Sequence, residues 1–306
     1  MSETRVLYPI MKHIKRTVKI VLLLAACGSL RAQSLKDSTL FDEILLSWQN
    51  SITVEGAYSY RGASNISGGA SGDFSSNKAS ATIKTQGISK SQKHALTAFV
   101  NYTYLDAHFS PQNNLFNEIH SLKASAFYAY NIDKRWSAFA TGSLTFSAEQ
   151  TGDWGDGMHG FAGCGAIYKF SDALSAGFGG AAYSRMDRDW IGFPVVFVDW
   201  RITERLSLRT FSGAALLYDI FGDGSLVADA ACEYKNSYSR LKTGESARDS
   251  CGEFTVGATW KPCPRFFAGA HIGFDFAREM SFEKSARADV DIDAAPVFYV
   301  NLGVLW

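Results

Sequence analysis

Long stretches of the chain alternate between apolar residues and small or polar ones. Ile52, Val54, Tyr58 and Tyr60 alternate with Thr53, Glu55, Ala57 and Ser59, and Leu96, Ala98, Val100, Tyr102 and Tyr104 with Thr97, Asn101 and Thr103. The pattern recurs from Leu122 to Tyr130, Trp136 to Phe146, Leu226 to Tyr234, Phe254 to Trp260 and Phe266 to Phe276. A period of two is the signature of β-strands with one apolar face.

A soluble sandwich would alternate too, but three features favour a membrane barrel. The alternating runs reach about 10–14 residues, beyond the five or six usual in sandwiches and enough to cross a bilayer at a tilt. Connections alternate in length: NIDKRW, KFSDAL, WRITERL and KPCPRF are tight, whereas RGASNISGGASGDFSSN, DAHFSPQNNLFNE, AEQTGDWGDGMHG and SRLKTGESARDSCG are long. Short periplasmic turns opposite long external loops are the outer-membrane arrangement. Finally, Trp48, Trp136, Trp200, Trp260 and Trp306 fall on the apolar face beside the tight turns or chain ends, which predicts an aromatic girdle at one interface. Trp154 and Trp190 sit in opposite-side loops, suited equally to recognition or loop packing.

The final strand, PVFYVNLGVLW, alternates to the last residue and ends on an aromatic. It resembles the C-terminal assembly signal of bacterial outer-membrane β-barrel proteins, a resemblance covering roughly 48–306. It implies outer-membrane lipids and the barrel-assembly machinery as partners. The stretches FPVVFVDWRITERLSLR and LVADAACEYKNSYSRL are similar to one uncharacterised domain-of-unknown-function family of such barrels; that family offers no activity to carry over. The reading is an all-β, antiparallel transmembrane barrel of 12–14 strands. Residues 205–220 decide the count, because a reversal at Phe211-Ser212-Gly213 makes two short strands there and an even total of fourteen, as single-chain bacterial barrels require.

Ahead of the barrel at 48–306, residues 1–32 read as an N-terminal extension plus signal peptide. MKHIKRTVK is the basic region and IVLLLAACG an apolar run too short to span a bilayer as a helix. Ala32 suits cleavage before Gln33, while Leu24-Ala25-Ala26-Cys27 also resembles a lipobox that would lipidate Cys27. Residues 33–47 are a periplasmic lead-in. Bacterial outer membrane is the expected location.

Thirty basic and thirty acidic residues cancel, which gives no general attraction to nucleic acid. The remaining cysteines make no framework: Cys164 and Cys232 fall on the lipid-facing set, and Cys251 and Cys263 stand at opposite ends of one strand. No cofactor or metal site is expected, and GDWGDG with Asp153 and Asp156 reads as turn chemistry rather than a cation loop. No enzymatic activity is expected either: His120 and Ser121, as strand neighbours, point to opposite faces and form no dyad.

Alternation places Glu55, Lys123, Arg209, Asp229, Glu233, Glu253, His271 and Asp275 inward as lumen-lining candidates, mixed in sign. They suggest a weakly selective channel for small solutes. The alternative is a non-conducting scaffold or surface-recognition barrel, which inward Gly177, Gly179, Gly257, Gly269 and Gly273 would allow to narrow.

Overall fold

The computed structural model describes residues 51–306 apart from 69–70, 90–92, 111–114, 151–152, 187, 212, 284 and 286. The expected leader, Cys27, the lead-in at 33–47 and Trp48 lie outside the described residues. The strands are β1 (Ser51–Gly68), β2 (Gly72–Ile88), β3 (His94–Phe109), β4 (Glu118–Asn131), β5 (Trp136–Ala148), β6 (Met158–Lys169), β7 (Leu174–Arg185), β8 (Arg188–Arg201), β9 (Leu206–Arg209), β10 (Gly213–Asp219), β11 (Leu226–Arg240), β12 (Ser246–Cys263), β13 (Phe266–Glu283), β14 (Val290–Ile292) and β15 (Ala295–Leu305).

Both β14 and β15 pair with β1 on one side and β13 on the other, so together they form one interrupted strand. The wall is a closed antiparallel barrel of 14 strands. Ile52 and Trp306 donate backbone N–H groups to each other's carbonyls at 2.9 and 2.8 Å, which removes both sheet edges at the terminus. The remainder at 205–220 is β9 and β10, reversing between Arg209 and Gly213 with Leu206 opposite Tyr218.

The outer face carries the apolar set. Val196, Ile272, Val300, Phe298 and Leu96 are exposed there, as are Trp136, Trp200 and Trp260 near the short turns. A band of that extent exceeds what water tolerates on a monomer; lipid is the solvent that suits it. The turn before Trp136 is built locally. The Asp133 carboxylate accepts the N–H groups of Arg135 and Trp136 at 2.7 and 2.8 Å, bonds that hold it below the ordinary carboxylate range.

At the opposite end the structure departs from expectation. RGASNISGGASGDFSSN and SRLKTGESARDSCG are mostly strand rather than loop: β1 and β2 extend through the first, and β11 and β12 through the second, leaving a hairpin tip at 241–245. Gly, Ser and Asn hide the alternation, but the inward positions Ile66, Phe74 and Ala247 pack into one buried cluster that holds the extensions in register.

The barrel is also not uniform in section. β9 and β10 stop low in the wall, and above them β5 meets β11 directly. Ala148 pairs in parallel with Arg240, Glu149 donates its N–H to the Arg240 carbonyl at 2.8 Å, and the Ser147 and Ser239 hydroxyls lie 2.8 Å apart. Lys242 reinforces the junction through an ion pair of 3.2 Å to Glu149. The upper barrel is thereby closed by β1–β5, β11–β13 and the final strand, while β6–β8 lean outside it. Tyr238, on the outer face of β11, is buried against Tyr183 and His159 from the inner faces of β7 and β6. About eight strands leave an interior that side chains just fill, and fourteen leave a lumen. The upper barrel of nine strands belongs to the first kind and the lower barrel to the second.

Candidate functional site: the barrel lumen

The lumen is layered. At the long-loop end an apolar cap of Phe74, Phe116, Leu241, Met280, Phe282 and Val290 is buried at 0–7% exposure, drawn from β2, the β3–β4 loop, the β11–β12 tip, β13 and β14.

Beneath the cap lies an ionic layer. Arg278 is fully buried and donates to both oxygens of Asp249 at 2.8 and 2.7 Å and to Asp275 at 3.5 Å, with its guanidinium 4.5 Å from the centre of the Phe74 ring. Arg61 pairs with Asp275 and, at 3.3 Å, with Glu253. Lys235 bridges Glu253 at 2.5 Å and Glu233 at 2.9 Å. Asp275 also accepts the Ala295 N–H at 2.9 Å, where the final strand resumes after its interruption.

All eight sequence candidates stand on the inner face by register, but they divide into groups. Glu233, Glu253 and Asp275 belong to the ionic layer and are engaged by bases. Glu55, lower down, accepts from the Asn301 amide at 2.8 Å and the Tyr299 hydroxyl at 3.4 Å. Asp229 pairs with His271 at 3.0 Å. Arg209 sits opposite Asp199 across β8–β9. Lys123, on the facing wall, has its ammonium 6.0 Å from the Phe99 ring centre and no ion-pairing carboxylate among the described residues. His120 and Ser121 do face opposite ways: His120 bonds the outer-face Tyr102 hydroxyl at 2.7 Å.

Sequence reasoning missed Arg61, Lys78, Asp249 and Arg278. The first two lay in or beside a stretch read as loop. Arg278 is subtler, because counting by twos from Asp275 sends it outward. A bulge places three steps of β13, Phe276 to Glu279, against two of β12, Gly252 to Ser250; Ala277 takes a left-handed φ of 48° and turns Arg278 inward. A carboxylate-rich inner face opposite, with too few cations to match it, was the available signal.

Two cavities lined by described residues lie in the lumen. One of about 370 Å³ is polar and lined by Glu55, Arg61, Lys78, Lys235, Glu253 and Tyr299; the other, of about 440 Å³, is lined by Lys84, Phe99, Lys123, Phe127, Phe161 and Phe211, and Thr82 borders both. A second apolar cluster of Ala95, Ala129, Phe139, Ile167 and Phe197 fills the β3–β8 side near the short turns. Gly177 is required there, since the Phe197 ring occupies the space a Cβ would take.

Fold and lumen define a closed antiparallel transmembrane β-barrel of the outer-membrane kind. Residues 49–288 match the family described as a domain of unknown function, DUF6268, and the chain belongs to that family. No curated protein matches the sequence. Among solved structures, an outer-membrane channel from Pseudomonas putida F1 is similar at a TM-score of 0.52 with 11% identity, over 88% of this chain and 100% of that one. The P. putida toluene transporter TodX aligns at 0.44 and 8% identity over 84% and 89%. A Pseudomonas aeruginosa FadL homologue aligns at 0.43 and 9% over 84% and 90%.

Proposed function

We propose that the protein is a gated channel of the bacterial outer membrane for small solutes, closed at rest at its long-loop mouth. The observation that carries this reading is the pair of adjoining cavities inside a fourteen-strand wall, sealed above by a cap made of loop and strand-end side chains. A scaffold barrel has no need of charged chambers, whereas a conduit needs polar groups along its path and a removable obstruction. The similarity to an outer-membrane channel supports the reading at the level of fold. The lumen is mixed in sign, so selectivity should be weak.

Planar-bilayer recording tests it. The wild-type protein should rest closed with brief openings, and a Phe116→Ser/Leu241→Ser variant, which loosens the cap, should conduct steadily. In that background Glu233→Lys should move the reversal potential toward anions. Glu233 is the position to change because it is partly exposed, whereas Glu253 is buried between Arg61 and Lys235 and its reversal would disrupt the layer. A correctly folded loosened-cap variant that stays silent defeats the channel reading in favour of a scaffold.

A further inference from the structure

The 440 Å³ cavity is walled by β2–β6 and reaches a break in the barrel wall at Phe211. Among the described residues, only 199–201 of β8 pair with β9, and β11 above Glu233 has no β10 partner. Val198 exchanges bonds with Thr210 on the β9 side, at 2.7 Å from its N–H and 3.0 Å to its carbonyl. By alternation Val196, Pro194 and Gly192 direct their backbone the same way, into the break. Pro194 lacks the N–H that such an edge would otherwise leave unbonded, the position a strand proline tolerates. Open backbone at membrane depth persists where it lines a cavity rather than lipid alone. Phe211, at the β9–β10 reversal, forms the sill: its ring packs on Phe127 and Phe197, 6.2 and 5.2 Å away between centres, and borders the cavity.

The lining is chemically specific. Four phenyl rings give an apolar body, Lys84 and Lys123 line it with cations, and among the described residues Lys123 has no carboxylate partner and the buried hydroxyls of Thr97 and Ser125 have no hydrogen-bond partner. Unpartnered buried hydroxyls cost free energy unless a ligand or water meets them. A neutral hydrocarbon would leave Lys123 and both hydroxyls unmet, and an inorganic anion would leave the rings unmet.

We propose that this cavity binds a small amphiphilic anion, an aryl or short alkyl carboxylate, which enters from the bilayer through the slot between β8 and β11. The carboxylate lies toward Lys123, Thr97 and Ser125, and the apolar part among Phe99, Phe127, Phe161 and Phe211. The inference rests on the channel reading only for the onward passage of the solute; binding stands by itself.

The test uses the full barrel in phosphatidylcholine nanodiscs with 4-phenylbutyrate and 4-phenylbutanol as probes, measured by titration calorimetry. The acid should bind about tenfold more tightly than the alcohol, as a charge-assisted contact implies. Lys123→Gln should shrink that difference, with Lys84 left as the remaining cation of the lining, and Ser143→Trp, which fills the cavity, should abolish binding of both while the barrel keeps its folded gel mobility. For the entrance, the emission added by Phe211→Trp should be quenched by lipids brominated on their acyl chains. Absence of acid binding by wild type, or acid binding unaffected by both cavity variants, overturns the site; unquenched emission overturns the lateral entrance. If phenylbutyrate binds while the loosened-cap variant fails to conduct, the site stands and the channel reading falls.

Discussion

Arg278→Met is expected to lower the unfolding free energy of the barrel by about 3–5 kcal/mol, the cost of leaving buried charge without its partner. Arg278 is fully buried, and its removal strands Asp249, its bidentate partner, beneath the apolar cap and leaves Asp275 to Arg61 alone. Met is close in length and keeps the contact with Phe74, so the loss reports the charges rather than a cavity. Reversible urea unfolding in lipid vesicles measures it. The triple variant Arg278→Met/Asp249→Asn/Asp275→Asn should regain much of the loss, because removing both partners avoids the stranded charge, although Arg61 then loses one of its two carboxylates. A stability within about 1 kcal/mol of wild type for the single variant would show that water reaches this layer.

Val300→Arg should cost about 2–4 kcal/mol and reduce assembly, since Val300 stands half-exposed on the lipid face midway along β15. Its neighbour Asn301 faces the lumen, where its amide donates to Glu55. Asn301→Ser should therefore lose one hydrogen bond, about 1 kcal/mol, and assemble normally. The comparison is made by folded yield in vesicles and urea midpoint. Equal tolerance at the two positions would place the wrong face toward lipid.

The faces of the wall were legible from alternation alone, as Ile52, Leu96, Trp136 and Val256 illustrate, all on the outside. Fourteen strands followed from the reversal near Phe211, because parity forbids an odd closed antiparallel wall. What escaped was of longer range or irregular. The contact between β5 and β11 joins residues far apart in the chain through a single bridge, and no local pattern around Ser147 or Ser239 announces it. The bulge at Ala277 inverts the parity that every inward assignment relied on, and so concealed Arg278. Glu253 was correctly turned inward, yet its role differs from that of a free pore charge, because the bases engaging it come from β1 and β11. The cap was concealed for a related reason: its members, such as Phe74 and Leu241, sit singly in polar stretches and become a cluster only when distant connections converge.

The narrowing of the wall from fourteen strands to nine carries both the closed mouth and the side slot, and it is tested most directly by cysteine cross-linking of Ser147→Cys with Ser239→Cys. The two native hydroxyl oxygens lie 2.8 Å apart across β5 and β11, so thiols at these positions are placed to form a disulfide on mild oxidation. In a barrel of uniform section these strands would be six steps apart along the wall, roughly 29 Å at about 4.8 Å per strand, and well beyond bridging range even across the lumen. In a background with Cys164, Cys232, Cys251 and Cys263 replaced by Ser, rapid, near-complete cross-linking of the folded protein in membranes is expected. Folded barrel that yields no disulfide between positions 147 and 239, while an adjacent-strand pair of cysteines replacing Ser121 and Ser147 cross-links under the same conditions, would contradict it.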